Sequence, residues 1–359
     1  MDPLQSFCPN MDCPARGHTH RGNIRIHCHK RKRLRCTVCG KTFSYRTGTP
    51  FLHVKTDTDL IALVLALIAH GCPVAAIEAA LGVQRRTVRQ WIEKAGQHAR
   101  GVHEALVLQP QVLQRVEVDE IFVRSQSGAV RRGSRYRWHY LFSAICVPTR
   151  LWLGGLVTAT RDATSARRLA EMVRRAALPG PLLVVCDGFS GYIKAFLRAF
   201  RFPVRSGRAG RPRLVTWSTL VLVQHVKQSR MVHLAYGSLD AFGRLWRAVG
   251  SRVVATSYIE RLNATFRERL AALARRSRHL ARRQATLQAY LYLLGSVYNF
   301  CRVHRSLGRT PAMAAGLTTE VWSMDRLLWQ KVAPPRWRPA IHRGPLSRSE
   351  RALLAQWGA

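Results

Sequence analysis

Two aspartates lie in apolar stretches where a charged side chain is costly to bury. Asp119 falls within the alternating, valine-rich stretch 113–124 (LQRVEVDEIFVR), and Asp187 ends the apolar run 182–188 (LLVVCDG), directly before Gly188. A carboxylate near a central strand costs free energy unless it is paired or bound to a cation. If the two strands are neighbours, both carboxylates meet and form an oxygen-ligand site for Mg²⁺. An alternative for Asp187 stays open, namely that it caps the turn at Gly188.

A third carboxylate, Glu260, stands in the stretch 257–270, SYIERLNATFRERL. Ser257 and Glu260 have the spacing of a capping box, in which each side chain accepts a bond from a free backbone donor. Glu260 and Arg267 are two helical turns apart and point the same way, about 10 Å apart along the axis. This favours a metal-binding carboxylate followed by a cation for DNA phosphate, while a solvated, salt-bridging face is the alternative. The apolar stripe of the helix is Ile259, Leu262, Phe266, Leu270 and Leu273.

Two close cysteine pairs, Cys8/Cys13 and Cys36/Cys39, flank the basic segment 29–35. Four thiolates on two tight turns predict a closed, structural zinc site of the zinc-ribbon kind. Unliganded thiols in a loop are the alternative. Further residues between the pairs could serve as ligands: Cys28, His18, His20, His27 and His29.

The charge of the chain predicts a polyanionic partner. Its 359 residues include 58 Lys and Arg against 19 Asp and Glu, a formal net charge of +39, and 47% are hydrophobic. A globular protein with this charge is expected to bind nucleic acid through phosphate neutralisation, although ribosomal-type or membrane-surface proteins are equally basic. Met1–Asn10 is unlike a signal peptide, and the longest apolar run, Leu60–Ala69, is too short to span a bilayer. Nine cysteines, two pairs of them closely spaced, favour a reducing cytoplasm.

The stretch 57–96 predicts three helices of a helix-turn-helix domain. They cover Leu60–His70, about 73–81 and Arg85–Lys94, with a turn at Gly82-Val83. The third would present its basic side chains to a major groove, and a plain helical hairpin with a solvated basic face is the alternative. These side chains are Arg85, Arg86 and Arg89.

Downstream, the pattern changes to an α/β domain. Strands are predicted at 113–124, 136–147 and 151–160, a helix at 164–177, and a buried parallel strand at 182–188. Three strands, a helix and a buried strand are the opening of an RNase H-like α/β/α domain.

A long interval between Asp187 and Glu260 predicts an insertion at about 201–237. Its first part, 205–214, is a basic arm whose Arg211 and Arg213 lie in the string GRPR, which is similar to the core of a minor-groove AT-hook; a solvated loop is the alternative. Its second part, 219–236, is interpreted as a hairpin turning near Gln228 and Ser229.

Five strings together resemble the DDE-type transposases of bacterial insertion sequences, over about residues 8 to 317. They are CTVCGKTFSYRTGTPF (36–51), VDEIF (118–122), VVCDGFSGY (184–192), SYIERLNATFRERL (257–270) and YNFCRVHRSLGRTPAMAAGL (298–317). In the last string Val303 stands where proline is more usual in the family.

The resemblance implies a catalytic triad of Asp119, Asp187 and Glu260 that holds two Mg²⁺, which Mn²⁺ could replace, and a DNA-contacting role for Arg267, Arg302 and His304. It further implies a bacterial cytoplasmic enzyme that binds double-stranded DNA at its element ends, cuts it and joins it to target DNA as a homodimer or larger assembly. The expected architecture is multidomain: zinc ribbon at 1–50, helix-turn-helix at 55–100, RNase H-like catalytic domain with an inserted β-hairpin at 110–317, and C-terminal tail at 318–359.

Two other functions stay open. An RNase H-like nuclease would cut without joining, and a transposase-derived regulator would bind DNA without catalysis. The regulator would be expected to carry a broken triad, whereas Asp119, Asp187 and Glu260 are all present.

Overall fold

The computed structural model describes residues 2–358 apart from 127–128, 131, 134, 206, 208–209, 227–230, 250–253, 275–279 and 339–343. The chain divides into two compact units, which are described separately. Unit 1 comprises Met1–Ile61 and Leu328–Ala359, and unit 2 comprises Ala62–Leu327. The domain boundaries expected from the sequence stay predictions.

The strands, in chain order, are β1 Ile24–Cys28, β2 Arg33–Cys36, β3 Thr42–Ser44, β4 Arg115–Ser125, β5 Ala129–Val130, β6 Arg137–Cys146, β7 Trp152–Thr158, β8 Leu182–Cys186, β9 Arg201–Val204, β10 Arg213–Thr216, β11 Leu220–Val226 and β12 Met231–Tyr236. The helices are α1 Thr58–Ala69, α2 Val74–Leu81, α3 Arg85–Leu106, α4 Ala163–Ala176, α5 Ser190–Ala199, α6 Leu239–Val249, α7 Ser257–Arg269, α8 Gln284–Phe300, α9 Pro311–Ala314, α10 Met324–Trp329 and α11 Arg348–Trp357. A 3₁₀ turn follows α7 at Ala271–Leu273. No helix in the described part of the chain has the length and apolar character needed to cross a bilayer.

Unit 1 contains a small antiparallel sheet, ordered β1-β2-β3, on which a cysteine-rich core is built. Leu34 and Phe43 from this sheet are buried beside Cys13 and Cys36, and Trp357 of α11 packs into the same cluster. The His18 ring nitrogen Nε2 lies 2.6 Å from the Trp357 carbonyl oxygen. The C-terminal helix therefore completes the core of this unit.

The sequence interpretation missed α11, because the composition before it is linker-like. A start signal is nevertheless present in the sequence at Ser347-x-x-Glu350. In the structure the Ser347 hydroxyl accepts the Glu350 N–H, and the Glu350 carboxylate accepts the Ser347 N–H. This reciprocal pair is a capping box and begins the helix.

Unit 2 is organised around a mixed sheet with strand order β12-β11-β8-β4-β6-β5, to which β7 is added on β6. Strands β4, β6 and β7 pair antiparallel, whereas β8 and β11 run parallel to β4. The four predicted strands and the predicted helix at 164–177 are confirmed as β4, β6, β7, β8 and α4. Unit 2 therefore has a mixed α/β arrangement around a multistranded sheet.

The expectation that 219–236 forms a hairpin inserted into the catalytic domain is wrong for β11. Strand β11 does pair with β12, but it also pairs in parallel with β8, Leu222 lying opposite Val184, so it is a strand of the main sheet. The reason is visible in its apolar run LVLV, residues 220–223, because a parallel strand covered on both faces lacks polar alternation. The predicted turn at Gln228 and Ser229 lies outside the described residues.

The antiparallel side of the sheet packs against α8 through Trp152. A Cβ on Gly295 would lie 2.1 Å from the Trp152 ring, so only glycine allows this contact. Asn299 accepts the Trp152 N–H and donates to the Trp152 carbonyl, both at 2.9 Å, while the indole N–H donates to Ser143. The Tyr298-Asn299 part of the C-terminal motif thus has a packing role.

Three helices are present where three are predicted at 57–96, but the third is longer than expected. Helix α3 continues to Leu106 because it packs along α8, where a Cβ on Gly96 would meet the Ala289 carbonyl oxygen at 2.2 Å. Gly82 ends α2 in the left-handed region, with φ of 65°. The helix-turn-helix function of these helices stays a prediction.

Candidate active site and thiol cluster

Strands β4 and β8 bring Asp119 and Asp187 together. The two strands pair in parallel with Val118 opposite Cys186, so the next residue on each strand is one of the two aspartates. Carboxylate oxygens of Asp119, Glu120 and Asp187 all lie within 4.8 Å of one another. Three carboxylates in this arrangement are an oxygen-rich set suited to a divalent cation.

Asp119 is buried and held by α7. It is 8% exposed, and its Oδ2 accepts a hydrogen bond from the Asn263 side-chain amide at 3.1 Å. Because alternate strand residues face opposite sides of a sheet, Asp119 and Glu117 share the face covered by α7. Asn263, one turn after Glu260, was not anticipated as a site residue.

Asp187 has two roles that the sequence presented as alternatives. Its Oδ1 accepts the Phe189 N–H at 3.0 Å, which is a turn-capping bond at the start of α5. Its Oδ2 lies 3.5 Å from an Arg161 guanidinium nitrogen. Capping and membership of the carboxylate cluster are therefore compatible.

Glu120 is a cluster member that the sequence interpretation did not identify. It lies on the opposite face of β4 from Asp119, where its carboxylate pairs with Arg161 and accepts the Tyr192 hydroxyl at 2.7 Å. Burial, and then the neighbouring charge of Asp187, raises the pKa of Glu120 to about 7. The string VDEIF (118–122) could have indicated this role. In a strand that is covered on both faces, two adjacent acidic residues are both buried.

Glu260 lies at the start of α7, exposed, and is in neither of the groups of three or more metal-ligating side chains within 4.8 Å found among the described residues. Its Oε1 accepts the Thr256 hydroxyl at 2.9 Å. The alternative of a Ser257–Glu260 capping box is wrong, because α7 begins at Ser257 and Thr256 is its N-cap residue. The catalytic assignment of Glu260 stays a prediction.

A buried ion pair, Arg115–Glu117, attaches the start of α7 to β4. One Glu117 oxygen accepts the N–H groups of Tyr258 and Ile259, at 2.9 and 3.0 Å, and the other accepts from Arg115 at 2.8 Å. Arg115 also donates to the Ala255 carbonyl at 3.0 Å. A carboxylate at a helix N-terminus satisfies free donors and interacts favourably with the helix dipole.

Burial dominates the titration of this pair. It raises the pKa of Glu117, against the opposing backbone bonds and the Arg115 charge, and it lowers the pKa of Arg115, against the attraction of Glu117. Arg115 also stacks on Trp246 of α6, with its guanidinium carbon 4.6 Å from the ring centroid. The pair therefore links β4, α6 and α7, and sequence reasoning missed both members.

The four predicted zinc ligands form a cluster within unit 1. The sulfurs of Cys8, Cys13, Cys36 and Cys39 all lie within 4.8 Å of one another. The Cys8–Cys39 and Cys13–Cys36 sulfur distances are 3.6 and 3.9 Å. A tetrahedral Zn²⁺ with bonds of about 2.3 Å sets its sulfurs about 3.8 Å apart, so the cluster fits this ion.

The thiols titrate differently within the cluster. Burial raises the pKa of Cys8 above its usual range and that of Cys13 to about 12. Burial alone would raise the pKa of Cys39 as well, but the Lys41 N–H and neighbouring thiols lower it to about 7. The substitute ligands are not members: Cys28 ends β1, and His18 contacts Trp357.

The predicted DNA-contacting residues lie in three places in unit 2. Arg85, Arg86 and Arg89 are exposed on the first turns of α3, and Arg85 pairs with Glu78. Arg211 and Arg213 are exposed at the β9–β10 hairpin, whose residues 206 and 208–209 are not described. Arg267 is half-buried on α7, whereas Arg302 and His304 line a cavity beside that helix.

Known proteins show little similarity to this chain. No family model matches the chain, and no curated protein matches it. Among solved structures it is similar to the piggyBac transposase in a synaptic complex with hairpin DNA, at 11% identity over 86% of this chain and 77% of that chain, with a TM-score of 0.35. A TM-score at this level does not establish a common fold.

Proposed function

We propose that this chain is a DDE-type DNA transposase, which cuts DNA at the ends of its mobile element and joins the freed 3′ ends to target DNA. One observation carries the proposal: Asp119 and Asp187 meet where strands β4 and β8 adjoin, and Asp119 is bonded to Asn263 of α7, the helix that bears Glu260. Buried carboxylates gathered without an equal number of cations are typical of functional sites.

The order of elements supports an RNase H-like catalytic domain. Strands β4, β6 and β7 are followed by α4 and the buried β8, which is the order expected from the sequence for that fold. Functional groups in such sheets gather where parallel strands end, and Asp187 follows the last residue of β8.

The carboxylates fit hard divalent cations, because each offers oxygen donors and Asp119 is already oriented by Asn263. When bound, two Mg²⁺ would activate the attacking oxygen and stabilise the leaving oxygen of a phosphodiester. In this proposal Asp119 and Asp187 hold the ions, and Asn263 fixes the rotamer of Asp119. No covalent protein intermediate is required.

Two residues are candidates for the third acidic ligand, Glu260 and Glu120. Glu260 is the residue implied by the family resemblance, and it precedes Asn263, the partner of Asp119, by one turn of α7. Glu120 is already within 4.8 Å of both aspartates, but its bonds to Arg161 and Tyr192 compete with a cation. We assign Glu260 as the third ligand, because the family resemblance implies it and it lies on α7, the helix whose Asn263 is bonded to Asp119.

DNA binding is assigned to the basic surfaces. The four-thiol unit would act as a zinc ribbon and α2–α3 as a helix-turn-helix, with Arg86 and Arg89 facing a major groove. Two element ends must be held together for joining, so a homodimer or larger assembly on DNA is expected. The net charge of +39 supports a polyanionic partner.

The test is a strand-joining assay with purified protein, DNA from both flanks of the coding sequence and a plasmid target, in Mg²⁺ or Mn²⁺. Wild type should give joined products that EDTA abolishes. Asp187→Asn should give none, while Asp240→Asn, the same change at an exposed residue of α6, should react normally.

A matched pair within α7 tests the third ligand. Glu260→Gln should abolish cleavage, whereas Glu268→Gln, an exposed residue of the same helix, should not. Loss of activity in Glu120→Gln with full activity in Glu260→Gln would transfer the role to Glu120. Cut but unjoined DNA would support the nuclease, and binding with neither product would support the regulator.

A further inference from the structure

A basic cavity of about 730 Å³ lies beside α7, between that helix and the segment that follows α8. This volume is within the range of ordinary ligand pockets. The described residues lining it include no acidic side chain, but they include four arginines and a histidine: Arg150, Arg261, Arg302, Arg305 and His304.

The positive charges share one cavity, and no carboxylate among the described residues pairs with them. Within the described chain, none of the four arginines forms an ion pair with a carboxylate. Burial lowers the pKa of His304, and the charges of Arg150, Arg302 and Arg261, which line the same cavity, lower it further. Like charges held together repel, so the cavity is suited to an anion.

Arg150 is held in place rather than free to move away from its neighbours. It occupies the left-handed region, φ 58°, in the turn between β6 and β7, where a residue other than glycine is strained. Its guanidinium carbon lies 3.8 Å from the centroid of the Tyr258 ring, and its Nη1 donates to the Val147 carbonyl. Backbone strain of this kind clusters at binding and catalytic sites.

The cavity is separate from the carboxylate cluster. Tyr258, Arg261 and Thr265 recur at helical spacing on one flank of α7, whereas Glu260 and Asn263 point to other sides of the same helix. The cavity therefore lies on a different side of α7 from Asn263, which bonds to Asp119, and its charge is opposite to that of the carboxylate cluster.

We propose that this cavity binds consecutive phosphates of a DNA strand. Arginine forks match phosphate oxygens bidentately, and four of them exceed what one inorganic phosphate would neutralise. The proposal deepens the proposed function, because it takes DNA as the partner and names a second place where a strand is held. A nucleoside triphosphate offers the same chemistry, and the experiment separates the two.

The experiment measures binding of a labelled duplex and a labelled single strand by fluorescence anisotropy at several KCl concentrations, with the zinc-loaded protein and without added Mg²⁺ or Mn²⁺. The test variant is Arg302→Ala/Arg305→Ala, in which both residues are exposed. Loss of two phosphate contacts should reduce the slope of log Kd against log salt by about 1.8 for duplex. The affinity should fall roughly tenfold or more.

Two matched variants make the result specific. Arg168→Ala/Arg175→Ala removes the same charge from exposed positions of α4 and should change the slope much less. Arg302→Lys/Arg305→Lys keeps the charge and should recover most of the slope. An equal loss in the α4 variant would overturn the proposal, since it would indicate general attraction.

Competition identifies the ligand. ATP and pyrophosphate should displace the labelled strand only weakly; tight binding of either to wild type, lost in Arg302→Ala/Arg305→Ala, would overturn the strand assignment in favour of a nucleotide pocket. Wild type that binds no DNA would contradict the proposed function itself. If Arg302→Ala/Arg305→Ala binds DNA as tightly as wild type, the role of the cavity is contradicted, whatever the joining assay shows.

Discussion

The two candidate metal sites differ in what surrounds them. The four thiols of unit 1 contact mainly one another and an apolar core that includes Leu34, Phe43 and Trp357. The carboxylates of unit 2 are each bonded to protein donors, Asp119 to Asn263, Glu120 to Tyr192 and Asp187 to the Phe189 N–H. The thiols also accept a few backbone bonds, such as that of the Lys41 N–H to Cys39, but no charged side chain among the described residues balances them. Such a set is expected to need its ion to fold, whereas a set held by protein donors is positioned before an ion arrives.

The largest expected effect comes from removing the zinc ligands. Cys36→Ser/Cys39→Ser should lose one zinc per chain and unfold unit 1, because metal binding of about 10–16 kcal/mol is coupled to folding in such small sites. Zinc content and amide hydrogen exchange of residues 2–57 would measure both. Cys28→Ser is the control, and unchanged zinc in the double variant would remove the ribbon.

Next in size is the ion pair that supports the carboxylate site. Glu117→Ala leaves Arg115 buried without its partner and frees two N–H groups at the start of α7, so it should destabilise unit 2 by about 3–5 kcal/mol. Denaturant unfolding measures this. Glu268→Ala is exposed and should change stability by less than about 0.5 kcal/mol. Equal effects would mean that Glu117 does not anchor α7.

The stability of the protein should depend on pH through the buried carboxylate of Glu120. The pKa of Glu120 is about 7 in the folded protein against an ordinary 4.5, so the folded state binds more protons between these values. The contribution of Glu120 to the free energy of unfolding is fully present below about pH 4.5. It is lost as the pH rises through about 7, and the loss amounts to at most about 3 kcal/mol. Unfolding of metal-free protein in EDTA should show this loss, and Glu120→Gln should abolish it. A wild-type profile identical to that of Glu120→Gln would contradict the assignment.

The smallest effect is expected at the residue that orients Asp119. Asn263→Ala should weaken Mn²⁺ binding by about 10–100-fold, the usual result of removing a group that orients a metal ligand. Calorimetric titration measures the affinity, with Thr265→Ala on the cavity side of α7 as the control. Unaltered Mn²⁺ affinity in Asn263→Ala would separate α7 from the metal site.

Much of the sheet was predictable because its strands carry clear local patterns. The runs that became β4, β6, β7 and β8 are apolar or alternating and are bounded by turns, and Asp119 and Asp187 stood out as charges within them. The strand β11 carries the same apolar signature as β8. It was misinterpreted because pairing partners distant in sequence are not encoded in a local pattern.

The supporting residues were harder to find for a related reason. Glu117 and Glu120 are ordinary acidic residues in the sequence, and their roles depend on which helix covers each face of β4. Asn263 gains its role only because α7 docks beside Asp119. By contrast, the helix α11 could have been found, since Ser347 and Glu350 have capping-box spacing.

The position of Trp357 in the core of unit 1 has a consequence for synthesis of the chain. Residues 62–327 are translated between the two segments of this unit, which takes roughly 10 to 50 s at ordinary elongation rates. During that interval the four cysteines have been synthesised, but the helix α11 that packs on them has not. Unit 1 therefore reaches its final packing only after residues 62–327, which include the sheet of unit 2, have been synthesised.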